Sequence, residues 1–332
     1  MTNTITICPE KIPNFGSPQN KNFSLIVSPD IAKQVELKTF GGYNSYQVLV
    51  AYDSLKETVA RIPPESHILV ITPDRFINSI EPSSLGKRKL GVIATNSTPT
   101  SNAAINHFLR VIEQSDPHRQ AQETDHFFAE LENSDRLSIT NPKYQTQAYL
   151  KLSQSDEWHE QQGELDWGEQ QILPSGEISV LPMFHGQFDA SKKLQLNGKI
   201  TLHGRPIVHS GSNPNREKQQ NLFARLSVIE NYAIIATVIS GEIVKLESTH
   251  ELASPAVSAL QELFSTDSNY RIVWELGLGI NTALRLWEGN SAMNEVYGGR
   301  KRTLHLGLGL TPTTEFHIDL LCPESNIAAT GG

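Results

Sequence analysis

Cysteine is nearly absent: the 332 residues hold only Cys8 and Cys322, far apart and in no CxxC pair. That excludes a disulfide framework and a thiolate zinc site, so any metal must be held by nitrogen and oxygen. No apolar run reaches the roughly 20 residues that span a bilayer, and MTNTITICPEKIPNFG lacks a basic region leading into an apolar one. The chain therefore reads as cytoplasmic, with no membrane partner. Positive charge is scarce as well. Lys and Arg number 28 against 36 Asp and Glu, giving a net charge of -8 and a pI near 5.8. A nucleic acid or an anionic membrane demands a basic field, so neither is expected as a partner. GxxxxGK does not occur, and GLGIN and GLGL lack the strand-to-helix context and acidic partner of a dinucleotide fingerprint. Ser175 sits in no GxSxG elbow and Cys322 has no assigned base, which leaves no convincing nucleophile. No repeat at a fixed period points to a solenoid.

What is present divides in two. The first 40 or so residues, rich in Asn, Pro, Ser and Lys, read as an irregular lead-in with one short apolar segment, Phe23 to Val27. YQVLVAY, HILVIT and KLGVIAT are then short β-branched runs, followed by the amphipathic SNAAINHFLRVIEQ and a second helix over residues 122–134. That alternation predicts a small α/β layer. DRLSIT reads as a strand, and SQSDEWHEQQGELDWGEQQ as linker or exposed loop. Beyond it lie many strand-like runs, from EISVLP to EFHIDLL, with one clear helix at HELASPAVSALQELF. The expected fold is α/β: a small N-terminal α/β domain over residues 1–150, then a β-rich α+β metal-site domain over 151–332.

Chemistry concentrates in the second half. In FHIDL, His317 and Asp319 stand two apart on a strand, so an imidazole and a carboxylate share one face. A surface-facing polar pair on an amphipathic strand is the plainer alternative for these residues alone. His305, inside the apolar RTLHLGLGL, strengthens the metal reading because a short Thr/Pro turn should fold the two runs into a hairpin. If the connection is Thr311 to Thr313, His305 falls opposite Asp319 and Gly307 opposite His317, and the three ligands share a face. Glu275 in VWELGLGIN is a carboxylate within an apolar strand and must be paired, protonated or bound to a cation. Glu177 follows a Pro-Ser-Gly turn that could deliver it to the same place. Two imidazoles and three carboxylates suit zinc, cobalt, manganese or iron, and suffice for two ions sharing a carboxylate. His159, His185, His203 and His209 show no ligand spacing with one another and are expected to be solvated or hydrogen-bonded. Arg300, Lys301 and Arg302 draw attention because they precede the His305 strand.

DRLSIT, LPSGE, GEIVKLES, ELGLGIN, NEVYGG, TLHLGLG and HIDLL follow one another between Asp135 and Cys322. In that order they resemble the aminopeptidase T/aminopeptidase S family of metallopeptidases, which also contains the 2,5-dihydroxypyridine dioxygenases. The resemblance implies a dinuclear metal centre on Glu177, Glu275, His305, His317 and Asp319, with Glu275 bridging and Glu177 as ligand or general base. It also implies a homodimer. Only 11 residues, none of them tyrosine, separate His305 from His317, fewer than the family usually has, and the N-terminal half is shortened. The leading expectation is a metalloaminopeptidase-like hydrolase acting on a peptide N-terminus or a small-molecule substrate with zinc, cobalt or manganese. Two others stand beside it: a mononuclear iron ring-cleaving dioxygenase, and a non-catalytic descendant that binds a peptide or partner in modified-peptide biosynthesis.

Overall fold

The computed structural model describes residues 4–51, 54–73, 79–95, 100–153, 156–181, 183–184, 187–189, 192–210, 215–299, 301–309, 311 and 314–331. After a short strand Ile5–Ile7, which pairs with Val35–Leu37 in a small sheet of its own, the first half supplies strands Asn22–Val27 (β1), Ser45–Val50 (β2), Ser66–Ile71 (β3) and Arg88–Ile93 (β4), followed by helices Asn102–Gln114 and Pro117–Glu132. Next come Arg136–Asn141 (β5), Thr146–Lys151 (β6), Glu157–Gln161 (β7), Gln170–Leu173 (β8), Glu177–Leu181 (β9), Leu196–Leu202 (β10) and Pro206–Ser210 (β11). Helix Arg216–Leu226 leads to Ile234–Ile239 (β12) and Glu242–Ser248 (β13), and helix Ser254–Thr266 to Val273–Gly279 (β14). Thr303–Leu308 (β15), Phe316–Cys322 (β16) and Asn326–Thr330 (β17) complete the fold.

Three main sheets result. A parallel sheet runs β8-β4-β3-β1-β2, and two antiparallel sheets run β11-β16-β15-β14-β9-β7 and β13-β12-β10-β6-β5-β17. The parallel sheet is covered on both faces, which is why its central strands read as continuous apolar runs. Helix Asn102–Gln114 lays Ile105, Phe108, Leu109 and Ile112 on one face, at the i, i+3, i+4, i+7 spacing of an amphipathic helix. Its start is fixed by Ser101, whose side chain accepts the Ala104 N–H. Val59, Ile62 and Leu85 cover the other face. The antiparallel sheets alternate instead. Ile178, Val180, Leu276, Leu278, Leu304 and Leu306 of one join Leu137, Ile139, Leu196 and Ile200 of the other in a single core, leaving the alternate residues for the opposite faces.

The α/β class stands as expected, with three corrections. The supposed lead-in supplies β1, whose Phe23–Val27 is fully buried at the centre of the parallel sheet. Its β-branched and apolar content was visible, but the surrounding Asn, Pro and Lys drowned it. The supposed linker holds β7 and β8; Glu157–Gln161 pairs with β9, packs Trp158 against the core and sets Gln161 beside Glu177. The second half holds two α-helices of ten or more residues, since Arg216–Leu226 buries only Gln219, Leu222 and Leu226 and so reads as polar. The sheets interleave along the chain: β5 (Arg136–Asn141) and β6 (Thr146–Lys151) belong to an antiparallel sheet, while β8, later in the chain, extends the parallel one. Among the described residues no helix is long and apolar enough to cross a membrane.

One buried histidine makes the parallel half acid-sensitive. His67 on β3 stacks on Phe15 at 5.1 Å and meets the Tyr43 hydroxyl at 3.0 Å through Nδ1. Burial, with Lys89 and Lys21 nearby, pushes its pKa down to about 3. The unfolded imidazole takes up its proton near pH 6.5. Between those values the unfolded state binds more protons, so stability is full above 6.5 and is lost as pH falls towards 3. Urea midpoints should therefore drop between about pH 7 and pH 4, and drop less in His67→Phe. Equal drops in the two proteins would remove His67 from the account.

Candidate metal centre

The antiparallel sheet on which β14, β15 and β16 lie side by side sends its leucines into the core and turns a polar face the other way. Register decides which residues meet there. Glu275 pairs with Gly307, which pairs with Asp319; Gly277 pairs with His305, which pairs with Leu321. Glu177 stands opposite Gly279, and His209 on β11 opposite His317. The expected pairing of His305 with Asp319 is thus off by two residues. β15 ends at Leu308 and β16 begins at Phe316, so the connection covers residues 309–315 rather than three. Within it Thr314 donates its hydroxyl to the Gly309 carbonyl. A shift of two preserves the alternation of faces, and His305, His317 and Asp319 still share one. Pro312 and Thr313, part of the expected turn, lie outside the described residues.

Two glycines clear the space. A Cβ on Gly277 would stand 2.0 Å from His305 Nε2, and one on Gly307 would stand 2.6 Å from the Glu275 Cβ and 3.0 Å from His317 Nε2. The GLG runs thus serve the imidazoles, which occupy the volume of the missing side chains. Glu177 is placed by a buried polar network behind its turn. Ser175 donates to the Gln120 side-chain oxygen at 2.8 Å and accepts from Asn14 at 2.8 Å. Asn281 donates to the Ser175 carbonyl at 2.7 Å and to the Ser115 hydroxyl at 2.9 Å, and its side-chain oxygen accepts the Ala283 and Leu284 N–H groups. Ser175 is therefore a fully buried anchor. A Cβ on Gly176, at φ +122°, would meet the Asn281 backbone N at 2.9 Å, so glycine is required at this turn.

Two ligand-like triads result, Glu177–Glu275–His305 and His209–His317–Asp319, with the donor atoms of each within 4.8 Å of one another. His305 Nε2 lies 3.4 Å from Glu177 Oε1 and 4.0 Å from Glu275 Oε1. Glu275 Oε2 reaches the second triad, 3.4 Å from His317 Nε2. His317 Nε2 lies 3.0 Å from Asp319 Oδ1, and His209 Nε2 2.7 Å from Asp319 Oδ2. Gln161 tethers Glu177 by donating to Oε2 at 3.3 Å.

Burial governs the electrostatics, because carboxylates crowded away from water raise one another's pKa unless cations intervene. Glu177 is pushed up by burial and by the charges of Glu275 and Asp319. Burial acts the same way on Glu275 and Asp319 but is overridden by their imidazole neighbours, which hold both below the usual range. Burial lowers His305, yet Glu177, Asp319 and Glu275 outweigh it and bring it to about 9. His317 is likewise held well above its ordinary value by Asp319 and Glu275. The histidines thus stand in for cations. They do so imperfectly: His305 Nδ1, His317 Nε2 and Asp319 Oδ1 are buried without a hydrogen-bond partner, even though the last two lie 3.0 Å apart. Donor atoms crowded this closely, with hydrogen bonds left unmade at the His305 ring, fit a divalent ion held among them.

The five expected residues come together, and the structure adds two. His209, expected to be solvated or hydrogen-bonded, projects onto the site face from the edge strand β11 and bonds Asp319. The signal was available, since PIVHS sets an imidazole in an apolar strand just as RTLHL does, but the partner lies 110 residues away. Glu295, from the short helix Ala292–Val296, places Oε2 3.8 Å from His209 Nε2, and burial with Glu177 nearby holds its carboxyl well above the normal range. Other candidates fall away. Arg302 is committed to Glu123 and Glu130, Lys301 donates to Asn326, and Arg300 lies outside the described residues. The Cys322 thiol is buried and pushed up to about 12, which leaves it unreactive. His203 contacts Glu324 at 2.9 Å, and His185 lies outside the described residues.

The family model of the crocagin biosynthetic protein CgnE/B matches residues 50–330, most of the chain and all of the site. The chain belongs to that family. This CgnE/B-family chain also matches the solved structure of 2,5-dihydroxypyridine dioxygenase from Pseudomonas putida KT2440, with a TM-score of 0.56 at 10% identity, covering 93% of this chain and 88% of that one. Wild-type AmpT from Thermus thermophilus matches with a TM-score of 0.45 at 11% identity, covering 95% and 91%. At 10% identity the first likeness shows a shared fold and no more. No curated protein matches the chain. The family is thus a biosynthetic one, where the motifs alone had suggested the aminopeptidase T group.

Asn281 offers a direct test of how Glu177 is held. Asn281→Ala leaves the Ala283 and Leu284 N–H groups without their acceptor and removes one of two partners from the Ser175 carbonyl, which keeps Gln120, and from the Ser115 hydroxyl, which keeps Val111. Each buried polar group left unpaired costs roughly 1–3 kcal/mol. The variant should unfold at clearly lower urea concentration; an unchanged midpoint would show that the turn is held by other contacts.

Proposed function

We propose that the chain is a metal-dependent hydrolase with a two-ion centre on Glu177, Glu275, His305, His317, Asp319 and His209, acting at the N-terminus of a peptide. The observation that supports this most is the pair of adjoining triads linked by Glu275, whose two oxygens face His305 and His317. Two divalent ions held there would supply Lewis acidity and a water acidified towards neutral pH. Glu275, with one oxygen towards each imidazole, would be shared by the two ions. Glu177, tethered at Oε2 by Gln161 and turned towards the site at Oε1, is placed to bind or to take a proton. The peptide substrate rests on the order of motifs around the site, and membership of a biosynthetic family argues for one dedicated substrate rather than broad peptidase activity.

A second reading has its own observation. His209, His317 and Asp319 form a two-histidine, one-carboxylate set, the donor set of ferrous oxygen-activating sites. Metal content separates the readings. Elemental mass spectrometry should find about two zinc, cobalt or manganese ions per chain, matching the two triads. A single iron would favour oxygen chemistry instead. No bound ion after incubation with excess metal would overturn both and leave peptide or partner binding without catalysis.

Ligand variants provide the functional test. His317→Ala should lower metal content and abolish hydrolysis of short peptides, a loss beyond the 10–100-fold that follows removal of a merely orienting partner. Unchanged metal content with full activity would sink the assignment. Gly277→Ala should act similarly without touching a ligand, because its Cβ would displace the His305 ring; retention of both ions in that variant would count against His305.

A further inference from the structure

We infer that the two triads are separable ion sites of opposite donor character, and that His209 completes the outer one as a ligand. The inference rests on the metal-centre reading and deepens it. The inner set, Glu177, Glu275 and His305, offers two carboxylates and one imidazole. The outer set, His209, His317 and Asp319, offers two imidazoles and one carboxylate. Oxygen-rich sites suit manganese-class ions, whereas nitrogen-rich sites suit zinc, iron and cobalt.

Geometry places His209 as a ligand. Its Nε2 and that of His317 approach the two oxygens of one carboxylate, at 2.7 and 3.0 Å. The two rings stack at 5.1 Å with an interplanar angle of 25°, and their ligand nitrogens lie within 4.8 Å of each other and of the Asp319 carboxylate. Donors around a tetrahedral zinc with bonds of about 2.0–2.1 Å stand roughly 3.3 Å apart, close to these separations. The strand beneath is pinned: Asn290 accepts the Val208 N–H at 2.9 Å and donates to the Val208 carbonyl at 2.8 Å, which fixes His209 opposite His317. Exposure divides the sites further. The inner side chains are 1%, 6% and 9% exposed; in the outer set Asp319 is 1% exposed, but His317 and His209 are 23% and 14% exposed. The inner site is enclosed and the outer one faces the approach from solvent.

His209 has one competing role, as a hydrogen-bond partner that only orients Asp319. Metal loading distinguishes them. The full chain, stripped with chelator, is given one equivalent of zinc and an excess of manganese, desalted, and read by elemental mass spectrometry and by the manganese paramagnetic resonance signal. Wild type should retain one zinc and one manganese. His209→Ala should keep manganese while its zinc affinity falls by more than the 100-fold upper end for loss of an orienting partner. Glu177→Gln should show the reverse, keeping zinc and losing manganese. His209→Gln, with circular dichroism on every variant, guards against a folding failure. A zinc affinity weakened only 10–100-fold assigns His209 to orientation and overturns its role as ligand. Loss of both ions together in either variant overturns separability while leaving the metal centre standing. No ion bound to wild type overturns the centre itself.

Discussion

The constraint on which this half of the molecule depends is that acidic side chains buried on one sheet face cannot all be charged without cations among them. Glu177 and Glu275 lie beside His305, Glu275 and Asp319 beside His317, and each carboxylate is almost fully removed from water. Desolvation of one such group costs several kcal/mol unless it is compensated. Protonated histidines compensate in part, as their raised pKa values show. Three polar atoms nonetheless stay unpartnered in the middle of the cluster. Divalent ions would satisfy the same charges with fewer particles, and the glycines of β14 and β15 make room for the imidazole and carboxylate side chains that would hold them.

Everything around the cluster is arranged to hold that face still. The opposite face is a continuous leucine and isoleucine layer, so a slip of β15 or β16 by one residue would bury the imidazoles in the core and expose the leucines. The halves of the chain are also joined at the site. Leu284, Met293 and Val296, from the segment between β14 and β15, belong to the apolar core under the parallel sheet. Asn14 and Gln120, from the N-terminal part, hold the turn that carries Glu177. The parallel layer therefore does structural service for the metal face even though no member of the two triads comes from it.

Much of this was legible in the sequence, and what was not has physical causes. Acidic or imidazole side chains inside apolar strands announce themselves, because burying them without purpose is costly; Glu275, His305 and Asp319 were found that way. The face that they share was also readable, since alternation survives an even error in register. The register itself was not readable: the length of the β15–β16 connection depends on threonine hydrogen bonds within the turn. His209 escaped because its partner comes from a distant strand, and nothing local in PIVHS marks the pairing. β1 and β7 escaped for opposite reasons, one being apolar in polar company and the other polar because it borders the site.

The site face is held by contacts that its candidate ligands do not make. In small zinc modules the ion supplies the folding energy, and removing it unfolds the chain. Here the site strands are also secured by ladders on both sides, by the leucine layer beneath and by the Ser175–Asn281 network. The scaffold and the donor sets thus rest on different residues, and one sheet face carries two unequal triads, one rich in carboxylate and one in imidazole.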